Sequence, residues 1–342
     1  MNLLVKYGII ASKILNKTLS YYGTATALSQ GRNSLAATSN GVYALFAGGS
    51  PTAGYSAVVD AYNASLTRST PTALSVARST STATAIGEYG LVGGGNSGSV
   101  SAVVDAYNAS LTRSTPTALS VARSTLTATA IGEYALFGGG LVDTTRQSTV
   151  DAYNTSLTRS TPTALSEARS ALAAAATSDY ALFGGGSNAA GAASSVVDAY
   201  NISLTRSTPT AFSTAMRLLS AASNGGHALF GGGYDGSVYQ DVVIAYNASL
   251  TRSTPTALSV GRIDTGAVGV DEYVLFCGGR TDLTTASSVV DSYNASLTRT
   301  TMSSMSIAKT GLKATSIGNY ALAGGGNDGA TRLSAMDVYQ VA

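Results

Sequence analysis

The chain has 342 residues, only 11% of them charged, and a formal net charge of +2. That is neither the charge-rich, apolar-poor make-up of a disordered protein nor, with its basic residues spread at regular intervals, the electrostatic footprint of a nucleic-acid binder. A single cysteine, Cys277, excludes an intramolecular disulfide and any multi-cysteine zinc site, and a single histidine, His227, excludes a multi-histidine metal centre. The apolar stretches are strand-sized, far short of the roughly 20 residues that span a bilayer, so a soluble chain with no membrane insertion is expected.

Residues 1–12 (MNLLVKYGIIAS) carry an early Lys and a short apolar run, as a signal peptide would, but no continuous apolar core and no small-x-small cleavage site. They read as a leader to a single domain that fills residues 13–342. Residues 15–32 then align with the fourth strand and following linker of a repeat whose first three strands are missing at this end.

The repeat itself dominates the rest of the chain. Residues 104–140, VDAYNASLTRSTPTALSVARSTLTATAIGEYALFGGG, recur with modest changes, and the glycine clusters at Gly48, Gly94, Gly139, Gly185, Gly232, Gly278 and Gly325 mark seven copies about 46 residues apart. Within a copy, turn residues punctuate four short segments. Strand a is predicted over residues 79–86, of Ser, Thr and Ala; Gly87-Glu88 turns the chain; strand b covers residues 89–92 and ends in the glycines. After a variable loop, strand c covers residues 102–107, Asn108-Ala109-Ser110 turns, and strand d covers residues 111–115 before Pro116. Four antiparallel strands per 46 residues, without the 3.6-residue apolar period of a helical repeat, predict an all-β, seven-bladed β-propeller. Small residues on strand a suit the crowded axis, and strand b, apolar on both faces as in Tyr134-Ala135-Leu136-Phe137, suits a blade covered by neighbours on both sides. The last copy stops after its third strand at Asp337-Val338-Tyr339. The N-terminal orphan strand is therefore expected to serve as strand d of the final blade and close the ring.

These residues resemble the kelch repeat. The likeness rests on the double glycines and on Val-Asp-Ala-Tyr at residues 59–62, 104–107, 150–153 and 197–200. It rests also on the linker arginines Arg32, Arg78, Arg123, Arg169, Arg217 and Arg262, with Lys309 in the seventh copy. It covers nearly the whole chain. The usual Trp is absent, its place held by Leu-Thr-Arg-Ser, which marks a divergent branch of bacterial or phage-like character. Kelch-like copper oxidases need several His ligands and are excluded. Sugar-acid epimerases use acidic and basic groups at the channel mouth, and no carboxylate beside strand a stands apart from the repeat. A non-enzyme with no catalytic residues, no metal and no cofactor is expected.

Repeated polar residues read as architecture. Taking Asn-Ala-Ser as a three-residue loop, Tyr62 faces Leu66 and Asp60 faces Arg68 across strands c and d, with the same pairing for Asp105, Asp151, Asp198 and Asp291. Ile244 replaces the Asp in the fifth copy and leaves Arg252 to find another partner. The sequons at Asn16, Asn63, Asn108, Asn154, Asn201, Asn247 and Asn294 are one hairpin turn copied seven times. Cys277 holds the place of the first Gly of its cluster, which predicts a buried small side chain.

Functional asymmetry belongs where the copies differ, in the loops between strands b and c, all on the face of the d–a linkers around one mouth of the channel. Their candidate binding residues are Tyr55, Asp143, Arg146, Tyr234, Asp235, Tyr239, Arg280, Asp282, Asp328 and Arg332; Tyr and Arg favour interface hot spots and Asp can bond a glycan or peptide. The expected function is a binding scaffold for a protein or a carbohydrate, in an extracellular or virion-associated setting. The alternative is a structural component of a larger particle, and a sugar-modifying enzyme is a distant third.

Overall fold

The computed structural model describes residues 17–342; the leader and the sequon at Asn16 lie outside the described residues. Seven four-stranded antiparallel sheets, each in the order a-b-c-d, surround a central axis. The innermost strands are Ala36–Ser39, Thr82–Ile86, Thr127–Ile131, Ala173–Ala176, Ser220–Ser223, Gly266–Val270 and Lys313–Ile317, and each touches the next until the seventh meets the first. This is a closed seven-bladed β-propeller. Closure is as the sequence predicts: Leu19–Ala25 pairs antiparallel with Met336–Val341, from Leu19 opposite Val341 to Ala25 opposite Met336, and becomes strand d of blade 7.

The blades interlock through matched volumes. A Cβ on Gly93 would lie 2.7 Å from the Phe137 ring of the next blade, and one on Gly138 2.6 Å from Phe183, so glycine here makes room for an aromatic neighbour. Blade 6 exchanges the sizes: Cys277 replaces the Gly, and Ala323 replaces the Phe opposite it, in one buried cluster. Blade 1 does likewise with Ala47 against Val92. The Cys277 thiol, fully enclosed, is pushed up to about 12 by burial, which fits a packing role.

A buried ion pair anchors most blades. In strand c, Asp60 meets Arg32 from the linker that enters its own blade at 2.7 Å, both side chains fully buried; Asp105–Arg78, Asp151–Arg123 and Asp291–Arg262 repeat this at 2.8, 2.8 and 2.9 Å. Asp198 pairs with Arg169 in the same way, and Asp337 with Lys309 at 2.7 Å. The Asp carboxyls 60, 291 and 337 lie below the usual range because the neighbouring cations and backbone N–H donors outweigh the desolvation that opposes them. Two residues along strand c, each Tyr hydroxyl donates to a carbonyl of the linker entering its blade, as Tyr107 does to Thr72 at 2.8 Å and Tyr246 to Thr210 at 2.6 Å.

Blade 5 corrects the alignment of the linker arginines. The residue that enters the core there is Met216, fully buried, and Arg217 is one position later on the surface side. Met216 and Ile244 lie in one apolar cluster where the other blades hold an ion pair. Arg252, left without its Asp, donates to the Ala211 carbonyl at 2.7 Å.

The c–d register also differs from the expectation. Tyr62 lies opposite Arg68 and Ala61 opposite Ser69, so five residues form the loop, and strand d shrinks to Arg68–Ser69. The extra residues are taken up by Leu66, at φ 59°, while Asn63 Oδ1 accepts from the N–H groups of Ser65 and Thr67. Arg68 still reaches Asp60, diagonally, at 2.8 Å, as Arg206 reaches Asp198. Arg113 sits farther from Asp105, at 3.7 Å, and donates instead to Ala73. Strand a likewise begins later than predicted, at Thr82 in blade 2, because Ser79 instead bridges to Asn96 at the start of the b–c loop.

Candidate functional site

The same bridge, repeated as Asn33 to Ser50, Arg217 to Tyr234, Ile263 to Arg280 and Thr310 to Asn327, ties every d–a linker to its b–c loop and puts both on one face. On this face the channel mouth is bound by a ring of backbone hydrogen bonds between blades. Thr80 N–H donates to Ser34, Thr125 to Thr80, Ala171 to Thr125, Leu218 to Ala171, Asp264 to Leu218, Gly311 to Asp264 and Ser34 to Gly311, at 2.9 to 3.4 Å. All seven residues have φ between 50° and 63°, although only one is glycine. A left-handed conformation is costly for Thr or Leu, and the inter-blade bond at each position is what holds it there.

The b–c loops are unequal around this mouth. The residue that follows the glycines is Ser50, Asn96, Leu141, Ser187, Tyr234, Arg280 or Asn327. The two bulkiest polar members, Tyr234 and Arg280, fall on adjacent blades 5 and 6, and between them opens a cleft of about 690 Å³. Its walls hold Arg217, Tyr234, Tyr239, Arg280 and Asp282, with Val238 and Leu283 on the rim. Those two apolar side chains are 56% and 82% exposed. Tyr234 and Tyr239 meet edge to face with centroids 5.5 Å apart, and the Arg217 guanidinium stacks 5.3 Å above the Tyr234 ring while its Nη1 donates to Gly191 O at 2.7 Å. Arg217 makes no ion pair among the described residues. The cleft thus offers an aromatic wall, a cation without a carboxylate partner and an apolar lip, on one sector of an otherwise repetitive disc.

Of the ten sequence-predicted residues, the structure brings Tyr234, Tyr239, Arg280 and Asp282 together in this cleft. Asp235 does not line it and caps its own turn, accepting from the N–H groups of Ser237 and Val238 at 2.7 and 2.8 Å and from Gln240 Nε2 at 2.7 Å. Asp282 likewise accepts from Thr284 and Thr285, and Asp328 from Ala330 and Thr331. These backbone donors hold all three carboxyls low, Asp282 down to about 2. They shape their loops chiefly through Oδ1, and Oδ2 of Asp282 accepts no bond among the described residues. The remaining four are scattered: Tyr55 is exposed on blade 1, Asp143 and Arg146 occupy the Leu141–Val142/Thr145–Arg146 hairpin of blade 3, and Arg332 is exposed on blade 7.

Sequence reasoning missed Arg217 as a surface residue, because it was aligned with the buried arginines. It also missed Asp264, a carboxylate set apart from the repeat two residues before strand a, where the other copies carry Ser34, Thr80, Thr125, Ala171, Leu218 or Gly311. The Asp264 carboxylate sits 3.3 Å from Arg280 Nε, and burial raises its pKa against the pull of Arg280 and Lys313. Its signal in the sequence is the single charged residue at a position otherwise uncharged. His227 and Cys277 stand at opposite ends of strand b on different blades, Cys277 in Tyr273–Cys277 and His227 in His227–Gly231.

No protein-family model matches the chain, and no curated protein does. Solved structures do: the structure of YjhT superposes with a TM-score of 0.65 at 13% identity, over 81% of this chain and 99% of that one. At that identity the likeness establishes the propeller fold and nothing about chemistry.

Proposed function

We propose that this protein is a non-enzymatic binding module of the kelch-like type that recognises a ligand at the cleft between the b–c loops of blades 5 and 6. The observation that carries this reading is the meeting of Tyr234, Tyr239, Arg217 and Arg280 in one cleft of about 690 Å³, a size typical of small-ligand sites, which favours a carbohydrate over a broad protein surface. Sugar rings present apolar faces to aromatic walls, and the two arginines suit hydroxyl or anionic substituents. Binding in preference to catalysis is supported by the lining of the cleft, in which Asp282 is the one carboxylate and faces no histidine, cysteine or second acid that could work with it as an acid–base pair.

A glycan array probed with the native protein is expected to give a signal that Tyr239→Ala and Arg280→Ala each weaken about tenfold or more, the equivalent of ~1.4 kcal/mol. Tyr55→Ala, in the blade 1 loop and outside the cleft lining, should leave it unchanged. Equal loss on Tyr55→Ala, or full retention in both cleft variants, would refute the cleft as the site.

A second reading, a component of a larger assembly, is favoured by the outer edge of blade 7. Strand d there runs seven residues, Leu19–Ala25, against two or three in other blades, and displays Tyr22 at 54% exposure. A long outer edge is a surface on which another chain's strand can pair. Purified native particles that contain the protein, with no glycan signal in the array, would favour this reading.

A further inference from the structure

Beyond the Arg280 loop the mouth face opens a second time. A pocket of about 410 Å³ lies between the b–c loops of blades 6 and 7 and reaches the start of blade 1. Arg280 and Leu283 line both this pocket and the blade 5–6 cleft, so the blade 6 loop is the crest between two adjoining depressions. The floor of the pocket includes Gly311, the single glycine of the mouth ring. Its N–H donates to Asp264 O and its carbonyl accepts from Ser34 N–H, each at 3.1 Å. A Cβ at Gly311 would lie 3.8 Å from both Asn33 Nδ2 and Asn327 Nδ2, which places the two side-chain amides together over that floor. The far wall closes where Gly329 of blade 7 approaches blade 6, a Cβ there lying 3.4 Å from Thr284 O.

These polar groups keep bonding capacity in reserve. Asn33 is bonded through its main chain, to Ser50, and its side-chain amide has no hydrogen-bond partner among the described residues. Asn327 Oδ1 accepts from Gly329 N–H at 3.1 Å, while Nδ2 spends one proton on Thr310 O at a long 3.5 Å. The Asp264 carboxylate meets Arg280 Nε through Oδ2 alone, at 3.3 Å. All four side chains are partly exposed, so a ligand can reach them. Two amides and a carboxylate in one small pocket match hydroxyl groups, which donate and accept at once. Asp264 and Arg280 balance each other in charge, in contrast to the cleft, where Arg217 has no carboxylate partner.

We infer that this pocket is a second sugar subsite for a neutral, hydroxyl-bearing ring, and that the ligand of the mouth is an oligosaccharide laid across the blade 6 crest, from the aromatic cleft to the paired amides. The inference rests on the carbohydrate reading of the cleft. The volume of the pocket lies in the range of small-ligand sites. The exposed Leu283 offers apolar surface to a ring on either side of the crest. Two linked rings in adjoining subsites bind at little further entropic cost, so affinity rises with glycan length.

The test is an array of malto-, cello-, manno- and chito-oligosaccharides from monomer to tetramer, with their uronic-acid-ended counterparts, probed with the full chain. At least one series is expected to bind, its trimer about tenfold or more above its monomer. Asn33→Ala and Asn327→Asp, the latter keeping the acceptor for Gly329, should each lower the trimer several-fold, with circular dichroism unchanged. Gly311→Ala, which adds a methyl to the floor, should do the same. Ala171 holds the equivalent ring position at φ 51°, so that variant is compatible with the fold. Tyr239→Ala, acting in the cleft, should weaken monomer and trimer alike. Trimers that bind no better than monomers, or a length advantage that survives all three pocket variants, overturn the second subsite and leave the cleft reading standing. Silence of the whole array overturns both.

Discussion

Blades 4 and 5 solve the same packing problem with opposite chemistry. Blade 4 buries Arg169 against Asp198; blade 5 fills the equivalent space with Met216 and Ile244, with Phe212 where blade 4 has Leu165. Both keep the linker N–H at that position bonded to the b–c loop, Arg169 to Gln147 O at 3.0 Å and Met216 to Ser194 O at 3.0 Å. The fold therefore requires that the two facing positions match, and either a charge pair or an apolar pair meets that requirement. A buried ion pair recovers through mutual attraction little more than its desolvation cost, whereas half a pair leaves that cost standing.

The comparison predicts a large asymmetry between single and paired substitutions. In blade 3, Asp151→Ala strands the fully buried Arg123 and should cost about 3–5 kcal/mol in urea unfolding. Arg123→Met with Asp151→Ile, which copies blade 5, should fall within about 1 kcal/mol of the native chain or exceed it. A double variant as unstable as the single one would show that the pair is required and that blade 5 is compensated elsewhere.

The size exchange between blades 6 and 7 extends the same logic to volume. Ala323→Phe against Cys277 should cost about 1–3 kcal/mol by overpacking, and adding Cys277→Gly should recover most of it. Additive effects in that double-mutant cycle would deny that the two positions share one space. The smallest effect is expected at the mouth ring. Thr80→Gly relieves a β-branched residue at φ 50° and should raise the unfolding midpoint by the equivalent of about 1 kcal/mol or less, since glycine also gains freedom when unfolded. A loss of stability there would mean that the Thr80 hydroxyl, which donates to Ser79 O at 2.8 Å, matters more than the backbone strain.

What could be read from the sequence followed from how strongly each feature punctuates it. Glycine clusters, Asn turns and the incomplete last copy announced seven blades and their closure, since each reflects a backbone requirement met by few residue types. The hairpin register escaped because Leu66 takes a conformation that Leu rarely adopts, so nothing in Asn-Ala-Ser-Leu-Thr suggests a five-residue loop. Arg217 was misplaced because Met216 breaks the charge pattern, and counting linker positions from Arg206 would have found it. The loop aspartates were read as ligand groups although Asp-x-Thr and Asp-Gly-Ser are turn-capping patterns in their own right. Tyr234, Tyr239 and Arg280 stand out in the sequence by loop variability and residue type. That they share a cleft depends on the closing angle between two blades, which no local pattern encodes.

Closure through Leu19–Ala25 also has a consequence in time. That strand is made first and its partner Met336–Val341 follows roughly 310 residues later, a delay of about 15–60 s at ordinary elongation rates. Throughout that interval six blades can form with their neighbours, but the seventh cannot, and a seven-residue strand stays unpaired. The finished disc is thus completed by a strand made long before its partner, and any other strand that reaches it first competes with the native ring for it.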